Sequence, residues 1–265
     1  KDRDRPDARD KHKSGPGAKP GAVNISDATQ RLTWIERWAA AAEHPSRVSR
    51  ALLLAHQLAL GGLDLLFPPH CIGCERVGSL LCSHCVAAAK AAPPRECDGL
   101  GGVCVAAEYD GAIGAAIRAL KYDRQARLAE PLGNLLARTV RRAGWPVDVI
   151  VPVPLHAARL SDRGYNQAKL VSLYLARALA VPIDCEAVRR VRDTPSQVNL
   201  NAQERRLNME RAFEARAEAV RGRVVLVIDD VLTTGATLGA CAEALRLAGA
   251  AEVYGAAVAG AVLSP

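Results

Sequence analysis

Two adjacent carboxylates at the end of an apolar run are the residues of this chain best placed to do chemistry. The stretch VVLVIDDVLTTGAT, at 224–237, leads branched apolar residues into Asp229 and Asp230 and then into a turn. In an open parallel sheet ligands bind beyond the carboxyl ends of the strands, which is where we expect this acid pair. A plain β-turn-α connection with capping side chains is the less favoured interpretation, because adjacent buried acids are costly without a partner.

The turn after the acids has the composition of a phosphate-binding loop. The first amides of a helix lack intrahelical partners and attract anions, and a glycine lets the backbone come close to a ligand. No Gly-Lys-Ser/Thr follows, so the loop differs from the nucleotide P-loop. With the acids, it suits a sugar phosphate whose ribose hydroxyls the carboxylates would bind. The predicted phosphate contacts are Thr233, Thr234, Gly235, Ala236 and Thr237.

Four of the eight cysteines form two closely spaced pairs. The segments CIGC and CSHC contain Cys71, Cys74, Cys82 and Cys85. Two such knuckles complete a tetrahedral zinc site, and four thiolates leave no open position, so the predicted metal is structural. Disulfides or unpaired structural thiols are the alternative, but a cytosolic chain seldom keeps disulfides. The flanking His70 and His84 could each replace a ligand, although the four-cysteine arrangement is favoured.

The remaining cysteines predict no complete metal site. Cys97 and Cys104 are single thiols, and two thiols do not close a tetrahedral site, which makes a second zinc the minority interpretation. Cys185 and Cys241 are expected to be core residues of a strand and of a helix.

Net charge leaves a polyanionic partner open without identifying one. The chain of 265 residues carries a formal charge of +7, and its first 20 residues hold seven Lys or Arg against four Asp, so they alone supply +3. A basic tail is usually solvated, and net charge is a poor guide to a partner. Aromatic residues make up 4% of the chain, which argues against a stacking surface for single-stranded nucleic acid.

The pattern along the chain predicts four regions. Residues 1–30 lack hydrophobic periodicity and are predicted to be a disordered basic tail, and 31–67 to be a helical segment. Residues 68–103 would form a zinc-ribbon module, and 104–265 the main domain. The most apolar run, 51–63, is thirteen residues long, whereas a membrane span needs about twenty. With no apolar signal segment at the start, we expect a cytoplasmic protein without membrane insertion.

Strands and helices alternate from about Cys104, which predicts an α/β fold with an open, mainly parallel sheet. The predicted strands lie at 103–109, 147–155, 223–229 and 252–259, and the predicted helices at 111–122, 128–144, 166–180 and 237–250.

The acid pair and its loop resemble the 5-phosphoribosyl-1-pyrophosphate (PRPP) loop of type I phosphoribosyltransferases at every diagnostic position. Further motifs resemble the ComF, or GntX-like, family of competence-associated proteins over about residues 60–260. These motifs are LLFPPHC, LKYDRQARLA, VPVPLHAARLSDRGYNQA and RDTPSQVNLNAQERRLNMERAF, which begin at 65, 120, 151 and 192.

The resemblance implies a type I phosphoribosyltransferase fold behind a small zinc-ribbon module. It places Pro154, Arg159 and Arg163 at the pyrophosphate of PRPP, to which guanidinium groups are suited. It also matches Lys121 and Tyr122 without giving them a role. The region around Arg205, Arg206 and Asn208 would be a flexible loop and following strand, although an Arg pair alone is more often a solvated face. Family members often carry further CxxC pairs, and this chain has only Cys97 and Cys104 there.

The leading interpretation is a protein that binds PRPP with Mg²⁺ and is associated with DNA uptake in natural transformation. Displacement at the ribose anomeric carbon would release pyrophosphate, with Asp229 and Asp230 as catalytic residues. Since the sequence shows no general base for an acceptor, two other functions stay open. One is a regulator that binds PRPP without turnover. The other is a DNA-binding adaptor whose partner would be single-stranded DNA or the competence helicase machinery.

Overall fold

The computed structural model describes Asp64, residues 67–191 and residues 212–261. The predicted tail at 1–30 lies outside this range, as does the predicted helical segment at 31–67 apart from Asp64 and Phe67. The proposed flexible loop with Arg205, Arg206 and Asn208 also lies outside the described residues.

The four-cysteine region folds as a small module without a sheet of its own. His70 and Val77 form an isolated antiparallel bridge, which folds the first knuckle back on itself. Helix α1 (Ser83–Ala87) begins directly after Cys82, whose sulfur accepts a hydrogen bond from the amide of Cys85. A linker, residues 88–102, joins this module to the first strand.

The main domain is built on a parallel sheet of four strands: β1 (Val103–Glu108), β2 (Val149–Pro152), β5 (Val224–Leu232) and β6 (Glu252–Gly260). Their order is β1-β6-β5-β2, with every neighbouring pair parallel. A separate antiparallel pair consists of β3 (Val188–Arg190) and β4 (Phe213–Ala215). The apolar runs of β5 and β6 reflect burial of the sheet on both faces, as parallel sheets require.

Helices cover the two faces of the sheet. They are α2 (Gly111–Tyr122), α3 (Ala129–Ala143), α4 (Ala157–Arg163), α5 (Gln167–Leu179), α6 (Ala217–Val220) and α7 (Ala236–Leu247), with a 3₁₀ turn at Ala126–Leu128. One core cluster joins α2, α3 and α5 to the sheet, and a second joins α7 and the β3–β4 pair to its other face. The first cluster also includes Cys71, Cys82 and Cys85, so the four-cysteine module shares a core with the main domain.

Local sequence signals explain where the helices begin and end. Asn166 precedes α5 in an extended conformation, and its side chain accepts hydrogen bonds from two amides of the first turn, as an N-cap does. Helix α3 ends at Ala143 and is followed by Gly144, whose φ of 67° lies in the left-handed region that glycine tolerates. Gly133 brings α3 close to α5, since a Cβ there would lie 2.7 Å from the Cβ of Tyr174.

The predicted α/β class, the parallel sheet and all eight predicted main-domain elements are confirmed, with shifted ends. Two details differ. Strand β5 continues through the acid pair to Leu232 because β6 pairs with it as far as Gly260. The prediction that Cys185 is a core residue of a strand is wrong: it lies partly exposed in a turn before β3, whereas Cys241 is buried in α7 as predicted.

Candidate functional site

The acid pair lies where β5 extends beyond its neighbour β2. Strand β2 ends at Pro152, opposite Ile228, and the amide of Val153 then donates to the carbonyl of Ile228 at 2.9 Å. On the other side β6 stays paired with β5 past both acids. The acids therefore stand at the carboxyl edge of the sheet, beside the loop that follows β2. Because side chains alternate along a strand, Asp229 and Asp230 point to opposite faces.

Asp230 is buried and paired with Lys121, a residue whose role was left open in the sequence comparison with the family. The side chain of Asp230 is 5% exposed and that of Lys121 16%, and Lys121 Nζ lies 3.0 Å from Asp230 Oδ1. The other carboxylate oxygen, Oδ2, is buried without a hydrogen-bond partner among the described residues. A buried unpaired oxygen beside a buried charge is costly in an isolated fold, and a ligand donor would relieve that cost.

Asp229 has a different environment from its neighbour. Its Oδ1 accepts a hydrogen bond from the amide of Asp230 at 2.8 Å. Burial, followed by the negative charge of Asp230, raises the pKa of Asp229 to about 7, while Lys121 opposes that rise. The carboxyl of Asp229 therefore holds a proton at a higher pH than an ordinary aspartate does.

The predicted phosphate loop connects β5 to α7 through a glycine whose backbone is left-handed. Thr233 and Thr234 are exposed, and Gly235 has a φ of 79°, which a residue with a side chain rarely adopts. Helix α7 starts at Ala236, whose amide donates to Thr234 Oγ1 at 3.4 Å. The loop thus leads directly into the amino end of a twelve-residue helix, where anions are favoured.

The linker that follows the four-cysteine module packs on this loop, a contact that the sequence did not predict. A Cβ on Gly235 would collide with the sulfur of Cys97, and a Cβ on Gly239 would lie 3.2 Å from the carbonyl of Asp98. Arg95 donates to the carbonyl of Ala261, just past the end of β6. The linker therefore crosses the carboxyl edge of the sheet and lies against the first turn of α7.

Gly235→Ala is expected to destabilise the loop through two separable causes. The left-handed backbone costs an alanine about 1 kcal/mol, and the new Cβ would meet the sulfur of Cys97. Combining it with Cys97→Ala should relieve the steric part and leave the backbone part. Urea unfolding of the two single variants and the double variant measures both, and purely additive effects would contradict the close contact with Cys97.

The loop after β2 brings the predicted pyrophosphate residues to the same edge. Pro154 lies in this loop and Arg159 is exposed on α4. Arg163 lies at the end of α4 with its guanidinium carbon 5.2 Å from the ring centre of Tyr122. Asn166 Nδ2 donates to the carbonyl of Val153 at 2.8 Å, which ties the loop to the start of α5. The phosphate loop, the acids and this loop thus converge on one edge of the sheet.

The four predicted zinc ligands form one compact cluster. Their sulfur atoms all lie within 4.8 Å of one another, with Cys71 and Cys85 sulfurs 3.7 Å apart and Cys74 and Cys82 sulfurs 3.6 Å apart. A zinc–sulfur bond of about 2.3 Å implies a tetrahedron edge of about 3.8 Å, so the geometry fits zinc. Among the described residues this is the one group of three or more potential ligands that comes together.

The electrostatics of the cluster also favour a cation. Burial raises the pKa of Cys71, but hydrogen bonds from the backbone of Cys82, Gly73 and Cys74 outweigh it and lower that pKa to about 6. For Cys85, interaction with Cys74, burial and the other sulfurs raise the pKa to about 12. Four adjacent thiols cannot all ionise without a positive charge between them, and a bound zinc ion would supply that charge.

Cys97 and Cys104 do not join a cluster of three or more ligands in the described part of the chain. Cys97 lies against the phosphate loop, and Cys104 lies in β1 opposite Ala256 of β6. Burial raises the pKa of Cys104 to about 12, which disfavours the thiolate that zinc requires.

Comparisons with known proteins agree with this architecture. Residues 121–261 match the family model of the phosphoribosyl transferase domain. Competence protein F of Haemophilus influenzae is 33% identical over 193 residues, which cover 70% of this chain and 82% of that protein. The chain belongs to the ComF family of phosphoribosyltransferase-domain proteins. The matched region begins at Lys121 and includes the acid pair, the predicted phosphate loop and the loop after β2.

Other relatives carry names that refer to DNA utilization or to competence. DNA utilization protein YhgH of Escherichia coli O157:H7 is 38% identical over 152 residues, which cover 56% of this chain and 66% of that protein. Competence protein ComFC of Bacillus subtilis is 33% identical over 97 residues, covering 37% of this chain and 38% of that protein. The match to the YhgH proteins therefore spans slightly less than two thirds of their length.

Comparison with solved structures gives a distant match. A solved glutamine phosphoribosylpyrophosphate amidotransferase from B. subtilis aligns with 49% of this chain and 26% of its own, with 21% identity and a TM-score of 0.36, which is too distant to support an argument.

No helix in the described ranges is both long and apolar enough to cross a membrane.

Proposed function

We propose that this chain binds PRPP together with Mg²⁺ at the carboxyl edge of its sheet. The observation that carries the proposal is the convergence of three elements on that edge: the acid pair on β5, the Gly235 loop at the start of α7, and the loop between β2 and α4. In this arrangement the Gly235 loop takes the 5-phosphate. The carboxylates accept hydrogen bonds from the ribose hydroxyls, and the loop after β2 faces the pyrophosphate.

The acids suit the metal that accompanies a pyrophosphate. Mg²⁺ prefers oxygen ligands, keeps several waters and is usually held by one or two carboxylates plus substrate phosphates. Asp230 has a buried oxygen without a hydrogen-bond partner in the described part of the chain, and Asp229 lies next to it in sequence. These carboxylates would hold water of the hydrated ion, which when bound neutralises charge on the pyrophosphate. Arg159 and Arg163 would supply additional positive charge from the other side.

The reaction supported by such a site is displacement at the anomeric carbon of the ribose. The bond from that carbon to a pyrophosphate oxygen breaks, the pyrophosphate leaves with the bonding electrons, and an acceptor nucleophile forms the new bond and gives up its proton. The chain holds the phosphate at one end and the pyrophosphate at the other, which aligns the breaking bond. The paired acids stabilise the positive charge that develops on the ribose.

Calorimetry with PRPP is the direct test. Binding should be detectable with Mg²⁺ and weaker in EDTA, because the arginines neutralise only part of the pyrophosphate charge. Ribose 5-phosphate should bind more weakly than PRPP, since it lacks the pyrophosphate. Absence of PRPP binding with Mg²⁺ present would refute the proposal. Pyrophosphate release with a panel of nucleobases and amines then separates a transferase from a protein that only senses PRPP.

DNA is a second candidate ligand, and the names of the relatives favour it. Relatives of this chain are called competence proteins or DNA utilization proteins. The formal charge of +7 is consistent with attraction to phosphates. In this interpretation the chain is an adaptor of a DNA-uptake machinery, with single-stranded DNA or the competence helicase as its partner.

Binding of single-stranded DNA should be weak and should fall steeply with salt, because phosphate contacts release counterions. Deleting residues 1–30 tests whether the basic tail alone is responsible. Most of the binding should survive the deletion, since Arg205, Arg206, Arg211 and the zinc module remain. Fluorescence anisotropy over a range of salt concentrations measures both effects. Loss of all binding at low salt in the truncated protein would assign it to the tail.

A further inference from the structure

Lys121 places a fixed positive charge at the acid pair before any ligand is present. Its Nζ lies 3.0 Å from Asp230 Oδ1, and both side chains are largely buried. The pair is not a surface contact of the kind that salt screens and side-chain motion weakens. Any cation that approaches Asp230 must therefore come close to this ammonium group.

The structure holds Lys121 in place from several directions. It lies in the last turn of α2, where a positive charge interacts favourably with the helix dipole. The carbonyl of Leu120 accepts a hydrogen bond from the hydroxyl of Tyr165, which is buried. The guanidinium of Arg163 lies over the ring of Tyr122. The chain at Lys121 is thus flanked on both sides by residues in contact with Tyr165 and Arg163, and the ammonium itself is held by its pair with Asp230.

The second carboxylate oxygen of Asp230, Oδ2, is the atom that could accept a hydrogen bond from a ligand. Oδ2 is buried and has no hydrogen-bond partner among the described residues, and Asp230 as a whole is 4% exposed. An ammonium has three donors, and one of them faces Asp230 Oδ1. A sugar hydroxyl could donate to Oδ2 while a phosphate oxygen accepts from Lys121. A bare divalent cation at Oδ2 would instead be repelled by Lys121 within a few ångströms, in a poorly solvated place.

We propose that Lys121 keeps free divalent cations away from the acid pair, so that the metal enters only as a complex with PRPP, whose phosphate oxygens Lys121 then contacts. The contact of Lys121 with the PRPP phosphates rests on the proposed function. The exclusion of free cations concerns the ligand-free protein alone. Lys121 thereby affects both the affinity for the divalent cation and the order in which metal and PRPP bind. It repels a cation that arrives alone, and it attracts a cation complexed with pyrophosphate, because that complex carries a net negative charge.

The test measures Mn²⁺ binding to the full-length, zinc-loaded protein by electron paramagnetic resonance without PRPP. Wild-type protein should bind Mn²⁺ weakly. Lys121→Gln, which removes the charge and keeps much of the length, should bind it at least about tenfold more tightly, as loss of one nearby like charge predicts. Lys121→Arg should behave as the wild type does. For PRPP with Mg²⁺ the ranking of affinities should reverse. Lys121→Gln should bind at least about tenfold more weakly than wild type, and Lys121→Arg should bind about as tightly as wild type.

Two further variants locate the effect. Adding Asp230→Asn to Lys121→Gln should abolish the gained Mn²⁺ binding, because it removes the carboxylate. Lys90→Gln is the matched control, since Lys90 pairs at 3.7 Å with Asp110 near the other end of α2 and both side chains are exposed. It should change neither measurement. Circular dichroism establishes that each variant is folded, and Lys121→Met serves as the second neutral variant.

Tight Mn²⁺ binding by the wild-type protein, or equal Mn²⁺ binding by wild type and both neutral variants, would overturn the proposal. These outcomes need no PRPP, so they are independent of the proposed function. Failure of wild-type protein to bind PRPP would instead refute the proposed function and leave the Mn²⁺ comparison to decide whether Lys121 excludes cations.

Discussion

Purified protein is expected to contain one zinc ion per chain and to lose it when Cys85 is changed to Ser. Cys85 is buried, and its sulfur lies 3.7 Å from that of Cys71, so serine would leave an incomplete and poorly matched ligand set. Structural zinc sites contribute about 10–16 kcal/mol of binding free energy in small domains, which makes this the largest effect we expect. Metal analysis by mass spectrometry gives the stoichiometry.

Loss of zinc should also lower the stability of the main domain. The cysteine cluster is part of the same hydrophobic core as α2, and a Cβ on Gly73 would collide with that of Ala112 at the start of this helix. The thermal unfolding transition of the Cys85→Ser protein should therefore have a lower midpoint temperature than that of the wild type. An unchanged transition in the main domain would mean that the module and domain are independent.

The control for the zinc experiment is the double change of Cys97 and Cys104 to Ser. Neither sulfur belongs to the cluster, and we expect zinc content to stay at one per chain. Two zinc ions in the wild type, with one lost in this double variant, would establish a second site.

Changing Asp229 to Asn is expected to weaken PRPP binding and at the same time to stabilise the ligand-free protein above neutral pH. A lost charged hydrogen bond is worth about 1–3 kcal/mol, or about 5- to 150-fold in affinity. The gain in stability has a different origin. Because burial raises the pKa of Asp229 from 3.8 to about 7, the folded protein favours the neutral form. The stabilisation from that neutral form is complete below about pH 4 and is lost as pH rises through about 7.

Asn has no charge to desolvate, so the stability difference between Asp229→Asn and wild type should grow from pH 5 to pH 8.5. Urea unfolding across this range measures it. Asp230→Asn should have the opposite effect on stability, because it removes the partner of the buried Lys121. Both changes should weaken PRPP binding. Glu243→Gln, an exposed change on α7, is the control and should alter neither quantity. Parallel pH profiles for wild type and Asp229→Asn would contradict the cost assigned to the buried charge.

Periodicity and local motifs were sufficient to predict the elements of the main domain. Apolar runs bounded by turns marked β2, β5 and β6, and regular helical spacing marked α3 and α5. The two CxxC pairs predicted the cysteine cluster because ligand spacing within a knuckle is local. The acid pair and its loop are likewise contiguous. These features depend on neighbours in sequence, which is why a single chain is enough to read them.

The contacts that join distant segments could not be predicted in this way. Lys121 is 109 positions before Asp230, and nothing local distinguishes it from a solvated lysine at a helix end. Its position in the LKYDRQARLA motif was the one available signal, and that signal carried no chemistry. The contact of Cys97 with Gly235 depends on the path of the linker across the sheet. Both contacts follow from strand order, which places the ends of β5, β6 and β2 together.

The path of the linker limits how this protein can vary in length. Surface connections generally tolerate insertions, because few of their atoms are packed on both sides. Between Arg95 and Leu100 the opposite holds: Arg95 is anchored to the end of β6, Cys97 touches Gly235, and Leu100 packs near Gly255. One inserted residue there would move each side chain out of register with a partner that cannot follow. We therefore expect relatives that conserve the Gly235 loop to keep the spacing from 95 to 100.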